Sequence, residues 1–155
     1  MKKKLDIIKN DEKKLRQKSR PVLDLRDRET QELIDQMFVA MRCGKEGIGL
    51  AAPQVGELLR LFVIDLGGKK HVFINPKIEK ASEKESVEEE GCLSFPGVFL
   101  SVKRPAKIVA SAWDRYGKKF KIKADGIFAR AIQHEYDHLE GVLFMDKEVA
   151  EIKKL

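Results

Sequence analysis

Apolar residues recur with the spacing of an amphipathic helix in residues 28–43. They fall on one predicted helix face, at Leu33, Ile34, Met37, Phe38 and Met41. Asp27 precedes this pattern as a candidate N-cap, and Gly44 or Gly47 follows it as a candidate terminator. The pattern therefore predicts a first main helix over about residues 28–43.

A second helical pattern lies near the C-terminal end of the chain. Its apolar positions are Ile127, Phe128, Ala131, Ile132 and Leu139. Asp125 is a candidate N-cap and Gly141 a candidate residue just beyond the C-terminus of the helix. We expect a second main helix between these two positions.

Short β-type runs occupy the region between the two predicted helices. Residues 59–65 and 71–75 flank a Gly-Gly pair, and residues 107–113 and 120–123 flank a turn at a Tyr-Gly pair. Both arrangements predict β-hairpins. Residues 77–90 are polar and are expected to form an extended strand and a loop. Hairpins combined with two helices predict an α+β fold rather than alternating strand–helix units.

Length and composition place the chain among soluble globular proteins. It has 155 residues, 43% of them apolar and 36% charged, and no repeat or linker, so we expect one domain over residues 1–155. No apolar run approaches the roughly 20 residues that cross a bilayer, and the N-terminus has no signal-peptide core. A cytoplasmic location without membrane contact is therefore expected. The net charge of +6 is dispersed along the chain, which predicts no dedicated nucleic-acid site.

The second predicted helix carries a motif with metal-binding spacing, His134-Glu135-Tyr136-Asp137-His138. Histidines four residues apart lie one turn apart on the same helix face, so both imidazoles can reach one metal ion. Glu135 lies about 100° further round the helix, where its carboxylate can address a metal-bound water. The bare five-residue pattern also arises by chance on exposed helices.

A catalytic metal site of this kind needs a third protein ligand and an open position for water. Because only 17 residues follow His138, we expect this ligand from upstream. Cys92 is the best candidate, since a thiolate binds borderline-soft metals and glycines flank it at positions 91 and 97. The alternative for Cys92 is a buried structural cysteine. Cys43, on the first predicted helix, is expected to be such a buried apolar residue.

Three segments together resemble the signature segments of the peptide deformylases. They are residues 47–54 (GIGLAAPQ), 90–94 (EGCLS) and 133–141 (QHEYDHLEG). They occur in the order and at the spacing of that family, and the resemblance covers essentially the whole chain. It implies antiparallel β-sheets packed around a central metal-binding helix that carries the His-Glu-x-x-His motif.

The resemblance also implies a reaction and roles for individual residues. Cys92, His134 and His138 would hold one divalent metal, Fe²⁺ in the cell, with Zn²⁺, Ni²⁺ or Co²⁺ as substitutes. Attack of a metal-bound water, with Glu135 as general base and then acid, would remove the formyl group from N-formyl-methionyl nascent peptides and release formate. Gln54 and the backbone N–H of Leu93 would stabilise the oxyanion. Ile48, Gly49 and Gly91 would line the track for the substrate backbone.

Further expectations concern supporting residues and partners. Glu90 and Arg104 resemble the supporting ion pair of the family, and Ile127 and Arg130 are candidates to border the methionine pocket. Transient contact with the ribosome is implied, although the residues after His138 are too few for the long C-terminal helix that some members use.

Two other functions remain open from the residues alone. One is an endopeptidase with the same helix motif, and the other is a binding domain with a closed, four-ligand structural metal. The remaining histidine, His71, falls in a hairpin strand and is expected at the surface rather than in a metal site.

Overall fold

The computed structural model describes residues 4–42 and 47–150. Its α-helices are α1 (Glu12–Leu15), α2 (Arg28–Arg42) and α3 (Gly126–Leu139). Its strands are β1 (Gly49–Ala51), β2 (Leu61–Leu66), β3 (Lys69–Ala81), β4 (Glu85–Cys92), β5 (Phe95–Pro105), β6 (Lys107–Trp113) and β7 (Lys119–Asp125). Short 3₁₀ helices occupy Ala52–Val55 and Phe144–Lys147.

The strands form two antiparallel sheets. The larger sheet has five strands in the order β1-β2-β3-β6-β7, and β4 and β5 form a separate two-stranded sheet. Both predicted hairpins are confirmed, as β2–β3 and β6–β7. The α+β fold with antiparallel sheets around a C-terminal helix is therefore confirmed. No helix among the described residues is long and apolar enough to cross a membrane.

Helix α2 begins where the sequence pattern places it. The backbone N–H of Thr30 donates to the Asp27 carboxylate over 2.7 Å, so the expected cap is present. The apolar face of α2 is buried against one side of the larger sheet, as the helical spacing predicts. The expected burial of Cys43 and an end at Gly44 lie outside the described residues; α2 as described ends at Arg42, before the alternative terminator Gly47.

Strand β2 is apolar on both faces because both faces are covered. Leu61 and Val63 lie in the core beneath α2, whereas Phe62 and Ile64 lie in the core that contains Ile132 of α3. Alternation of side chains along a strand places successive residues on opposite sides of the sheet. The larger sheet therefore separates the two main helices and buries one face of α3.

The β4–β5 hairpin supplies a third layer against α3. A smaller apolar core that includes Phe95, Val102 and Phe144 joins this hairpin to the segment after α3. The prediction of a strand and loop over residues 77–90 was partly right, because β3 and β4 divide that stretch. Strand β5 was not predicted, since Pro96 and Gly97 lie near its start, where both residues normally argue against a strand.

The ends of α3 confirm one expectation and correct another. Asp125 occupies the N-cap position, but its side chain makes no capping hydrogen bond, so the predicted side-chain cap was wrong. Gly141 has a φ of +73°, the left-handed conformation expected just after a helix. A Cβ at Gly141 would overlap the backbone carbonyl of Arg16, so the chain also passes very close there.

We expect Gly141→Ala to destabilise the protein more than Gly56→Ala does. Both glycines have positive φ, but a Cβ at Gly56 meets nothing within 4 Å. The backbone conformation alone costs about 1–2 kcal/mol in each variant, and overpacking against Arg16 adds about 1–3 kcal/mol at position 141. Urea unfolding, compared at constant m-value, measures the free energy of unfolding of both variants. Equal free energies of unfolding for the two variants would contradict this close approach.

Candidate metal centre

A cysteine on the β4–β5 hairpin and two histidines on α3 come together in the structure. Cys92 ends β4, where the register of the hairpin shifts after Gly91. His134 and His138 lie one turn apart on α3, with ring centroids 5.2 Å apart. The helical spacing thus places both imidazoles towards the hairpin, as the sequence motif predicts.

The three side chains offer donor atoms within 4.8 Å of one another. The Sγ of Cys92 lies 3.4 Å from the Nε2 of His138. Ligand atoms on one tetrahedral ion are separated by roughly 3.5 Å, because each lies about 2.0–2.3 Å from the metal. A thiolate and two imidazoles also form a donor set that suits a divalent transition metal. The residues therefore fit a metal ion.

The electrostatic environment of the histidines also suits ligation. Burial, and then the charge of nearby His134, hold the pKa of His138 well below its ordinary value, which keeps that ring neutral. Burial also disfavours charge on His134, but hydrogen bonds to Cys92 and Glu90 outweigh it and hold its pKa well above the ordinary value. A metal that binds His134 therefore has to displace a proton.

Glu90 connects the hairpin to the metal-binding helix. Its Oε1 accepts a hydrogen bond from the Nδ1 of His134 over 2.8 Å, which leaves the Nε2 of that ring for the metal. Arg104 of β5 donates to both oxygens of Glu90, over 2.6 and 2.9 Å. Arg104 also donates to Asp137 of α3 over 2.8 Å, and Lys147 donates to Asp137 as well. The expected Glu90–Arg104 pair is present and belongs to a larger network.

This network keeps Glu90 ionised although it is buried. Burial alone would raise the pKa of Glu90, but hydrogen bonds from His134 and Arg104 outweigh it and hold the pKa well below the ordinary value. An ionised Glu90 accepts the Nδ1–H of His134 and fixes the orientation of the ring.

Glu135 has the opposite environment. Its carboxylate is buried, and its Oε1 has no hydrogen-bond partner among the described residues. Burial raises the pKa of Glu135 to about 7 despite the nearby charge of His134. A Cβ on Gly49 would lie 2.7 Å from the Oε2 of Glu135, so the carboxylate rests directly against the backbone of β1. A carboxylate with a pKa near neutrality can both take and return a proton.

The side-chain amide of Gln54 is held in one orientation. Its Oε1 accepts a hydrogen bond from the backbone N–H of Ala51, and its Nε2 donates to the Oγ of Ser94 over 3.0 Å. The same Nε2 lies 3.6 Å from the Sγ of Cys92. The N–H groups of Gln54 therefore face Ser94 and Cys92 rather than the 3₁₀ helix that carries Gln54.

A cavity of about 740 Å³ opens onto these side chains. Its volume is in the range of small-molecule and peptide-side-chain sites. Most of the residues predicted for the site line it, namely Ile48, Gly49, Gln54, Gly91, Cys92, Leu93, His134 and Glu135. His138 does not line the cavity; it is almost fully buried beside Cys92.

The remaining predicted residues have mixed outcomes. Ile127 and Arg130 both line the cavity, while their place beside the methionine side chain stays a prediction, and the guanidinium of Arg130 is bound to Glu90. His71 is half-buried and packs on Phe128 with a centroid distance of 4.7 Å, so the expected surface position was only partly right.

Sequence reasoning missed residues that hold the site together. Ser94 orients Gln54, and Asp137 completes the ion pairs of Arg104. A partial signal existed for Asp137, which lies three residues after His134 and therefore on nearly the same helix face. Ser94 stands in the 90–94 segment that resembles the family, but spacing alone did not reveal its contact with Gln54, because that contact depends on how β4 and β5 meet the 3₁₀ helix.

Comparisons with known proteins agree on one family. A sequence model described as Polypeptide deformylase matches residues 4–154. Peptide deformylase 1 of Clostridium perfringens (strain 13 / Type A) is 51% identical over 143 residues, which cover 90% of this chain and 95% of that protein. Peptide deformylase of Treponema pallidum (strain Nichols) is 49% identical over 129 residues, which cover 83% of this chain and 78% of that protein.

A solved structure of the same family has the same fold. The crystal structure of a peptide deformylase from Synechococcus elongatus in complex with actinonin matches with a TM-score of 0.90 and 44% sequence identity. The match covers 98% of this chain and 83% of that one. The chain therefore belongs to the polypeptide deformylase family of metal-dependent hydrolases, which remove the formyl group from N-formyl-methionyl peptides.

Proposed function

We propose that Cys92, His134 and His138 hold one divalent metal, Fe²⁺ in the cell, and that Glu135 carries the proton in deformylation. The observation that carries this proposal is the convergence of one sulfur and two ring nitrogens within 4.8 Å, beside a buried carboxylate. Zn²⁺, Ni²⁺ and Co²⁺ suit the same donor set. A bound ion would lower the pKa of water at the site and polarise the formyl oxygen.

Glu135 supplies the proton transfers of the reaction. Its carboxylate takes a proton from the attacking water as the water adds to the formyl carbon, and then returns the proton to the leaving amine. The carboxylate is buried and its Oε1 has no hydrogen-bond partner among the described residues, which leaves that oxygen available to take and return a proton. The backbone of Gly49 leaves room for the carboxylate and holds it at the cavity wall. The products are formate and a peptide with a free N-terminal methionine amine.

Two donors meet the negative charge that develops on the formyl oxygen. These are the side-chain amide of Gln54, already oriented by Ala51 and Ser94, and the backbone N–H of Leu93. A pre-oriented donor of this kind is worth about 3–4 kcal/mol of transition-state stabilisation. The substrate backbone lies along Ile48, Gly49 and Gly91, all of which line the cavity.

The proposed partners follow from the reaction. Nascent N-formyl-methionyl peptides are the substrates. Transient association with the ribosome brings the enzyme to these peptides in the cytoplasm. Residues 1–155 act as one catalytic domain in this proposal. A closed structural metal site receives no support, because the metal-capable group among the described residues has three members rather than four.

We expect metal-loaded protein to release formate from a formyl-methionyl peptide, and Glu135→Ala to lose this activity while it retains the metal. Loss of the general base and acid should lower kcat at least about 100-fold. Formate release and metal content are measured on the same samples. Near-normal turnover by the alanine variant would show that another group moves the proton.

Gly49→Ala should also lower kcat without loss of metal. The added methyl group would overlap the Oε2 and Cγ of Glu135 and displace the carboxylate from its position against β1. A displacement of about 1 Å at the reacting groups can cost about 100-fold in rate. Kinetics of formate release, with metal analysis and thermal unfolding as controls, measure the effect. An unchanged kcat would mean that the position of Glu135 does not depend on Gly49.

Protein purified without oxygen should contain iron and should lose activity in air. Oxidation of the iron or of the Cys92 thiolate removes a ligand or changes the metal. Reconstitution with Co²⁺ or Ni²⁺ should give activity that survives longer in air. Metal content and the rate of formate release are measured before and after exposure to air. Zinc alone in active, anaerobically purified protein would contradict the assignment of iron.

A further inference from the structure

Arg130 makes an extensive set of contacts behind the metal-binding residues. Its Nη1 donates to the Oε2 of Glu90 over 2.6 Å and to the carbonyl oxygen of Val102 over 2.9 Å. Its Nη2 donates to the carbonyl oxygen and to the Oγ of Ser86, each over 3.0 Å. The side chain is only 10% exposed. One guanidinium therefore satisfies acceptors on three different residues.

These acceptors belong to both strands of the hairpin that carries Cys92. Ser86 lies in β4 opposite Arg104, and Val102 lies in β5 opposite Glu88, so the two contacts are neighbours across the hairpin. Arg130 itself lies on α3, one turn before His134 and on the same helix face. A single side chain thus fastens the thiolate-bearing hairpin to the imidazole-bearing helix.

Glu90 needs Arg130 to complete its hydrogen bonds. Its Oε1 accepts from His134 and from Arg104, whereas its Oε2 accepts from Arg104 and from Arg130. Without Arg130, a buried carboxylate oxygen would lose one of two donors beside an open cavity. Glu90 could then turn towards the cavity, and the ring of His134, which depends on Glu90, would turn with it.

We infer that Arg130 is a positioning residue for the metal centre, which clamps the hairpin to α3 and fixes Glu90 so that Cys92 and His134 stay within ligand distance. This inference rests on the proposed metal ligation. Arg130 also lines the cavity, so the competing role is that of a wall residue that contacts substrate only.

The test compares Arg130→Met and Arg130→Lys with a control, Arg60→Met. Methionine keeps an apolar stem without donors, and lysine keeps a charge for Glu90 but lacks the fork that reaches Ser86 and Val102 together. Arg60 is a matched control because its side chain is 13% exposed and binds Glu140 and the Leu139 carbonyl at the far end of α3.

Dissociation constants for Zn²⁺ and Co²⁺, measured by chelator competition, give the main readout. We expect Arg130→Met to bind both ions about 10–100-fold more weakly than the wild type, and Arg130→Lys to bind them several-fold more weakly, by a measurable loss that stays below about tenfold. Arg60→Met should keep wild-type affinity even where its thermal stability falls. The thiolate-to-cobalt absorption band of the Co²⁺ protein should shift in Arg130→Met and not in Arg60→Met.

Wild-type metal affinity in Arg130→Met, with a change in KM alone, would overturn the inference and make Arg130 a substrate-wall residue. If Arg130→Met does not fold, unchanged affinity in Arg130→Lys overturns it equally. Metal binding that survives Cys92→Ser in an otherwise wild-type protein would instead overturn the proposed ligand set and this inference with it. The two failures are therefore distinguishable.

Discussion

The carboxylate of Glu90 joins the two elements on which the site depends. Cys92 ends strand β4 of the hairpin, whereas His134 and His138 lie on α3, which packs against the larger sheet. Glu90 belongs to the hairpin but accepts the Nδ1–H of His134, so this hydrogen bond links the hairpin directly to α3. An unpaired buried carboxylate costs several kcal/mol, which explains why two guanidinium groups surround it.

The two buried glutamates of the site show how environment separates their roles. Glu90 is surrounded by cationic donors, so it remains an anion and serves as a fixed acceptor. Glu135 directly follows His134 but has no such donors among the described residues, and burial raises its pKa to about 7. Residues of the same type therefore have opposite pKa shifts, which suits Glu90 to the proposed role of a fixed acceptor and Glu135 to that of a proton carrier, because hydrogen bonding dominates at one position and desolvation at the other.

Much of the site could be predicted from the sequence because it depends on local periodicity. The helical spacing of His134 and His138, and the β2–β3 hairpin signal, need no tertiary information. The need for a third ligand upstream pointed to Cys92, and the resemblance of three segments added Glu90 and Arg104. Strand β5 escaped prediction because Pro96 and Gly97 follow its first residue, and its pairing partner β4 supplies the reason it is extended.

The supporting roles of Arg130 and Asp137 were not predicted, because these roles arise where separate elements meet. Arg130 and Asp137 have ordinary positions on an amphipathic helix, and only the packed hairpin turns them into contacts for Glu90 and Arg104. Similarly, the carboxylate of Glu135 fits against β1 only because Gly49, on that strand, has no side chain. Sequence spacing carries no information about such distances.

In the proposed site a hairpin thiolate and two helical imidazoles bind the same ion. X-ray absorption spectroscopy at the metal edge of the metal-loaded protein measures this ligand set. We expect one sulfur at about 2.3 Å and two imidazole nitrogens at about 2.0–2.1 Å, with the sulfur signal lost in Cys92→Ser. A first coordination shell without sulfur in the wild-type protein, or one with two sulfurs, would contradict it.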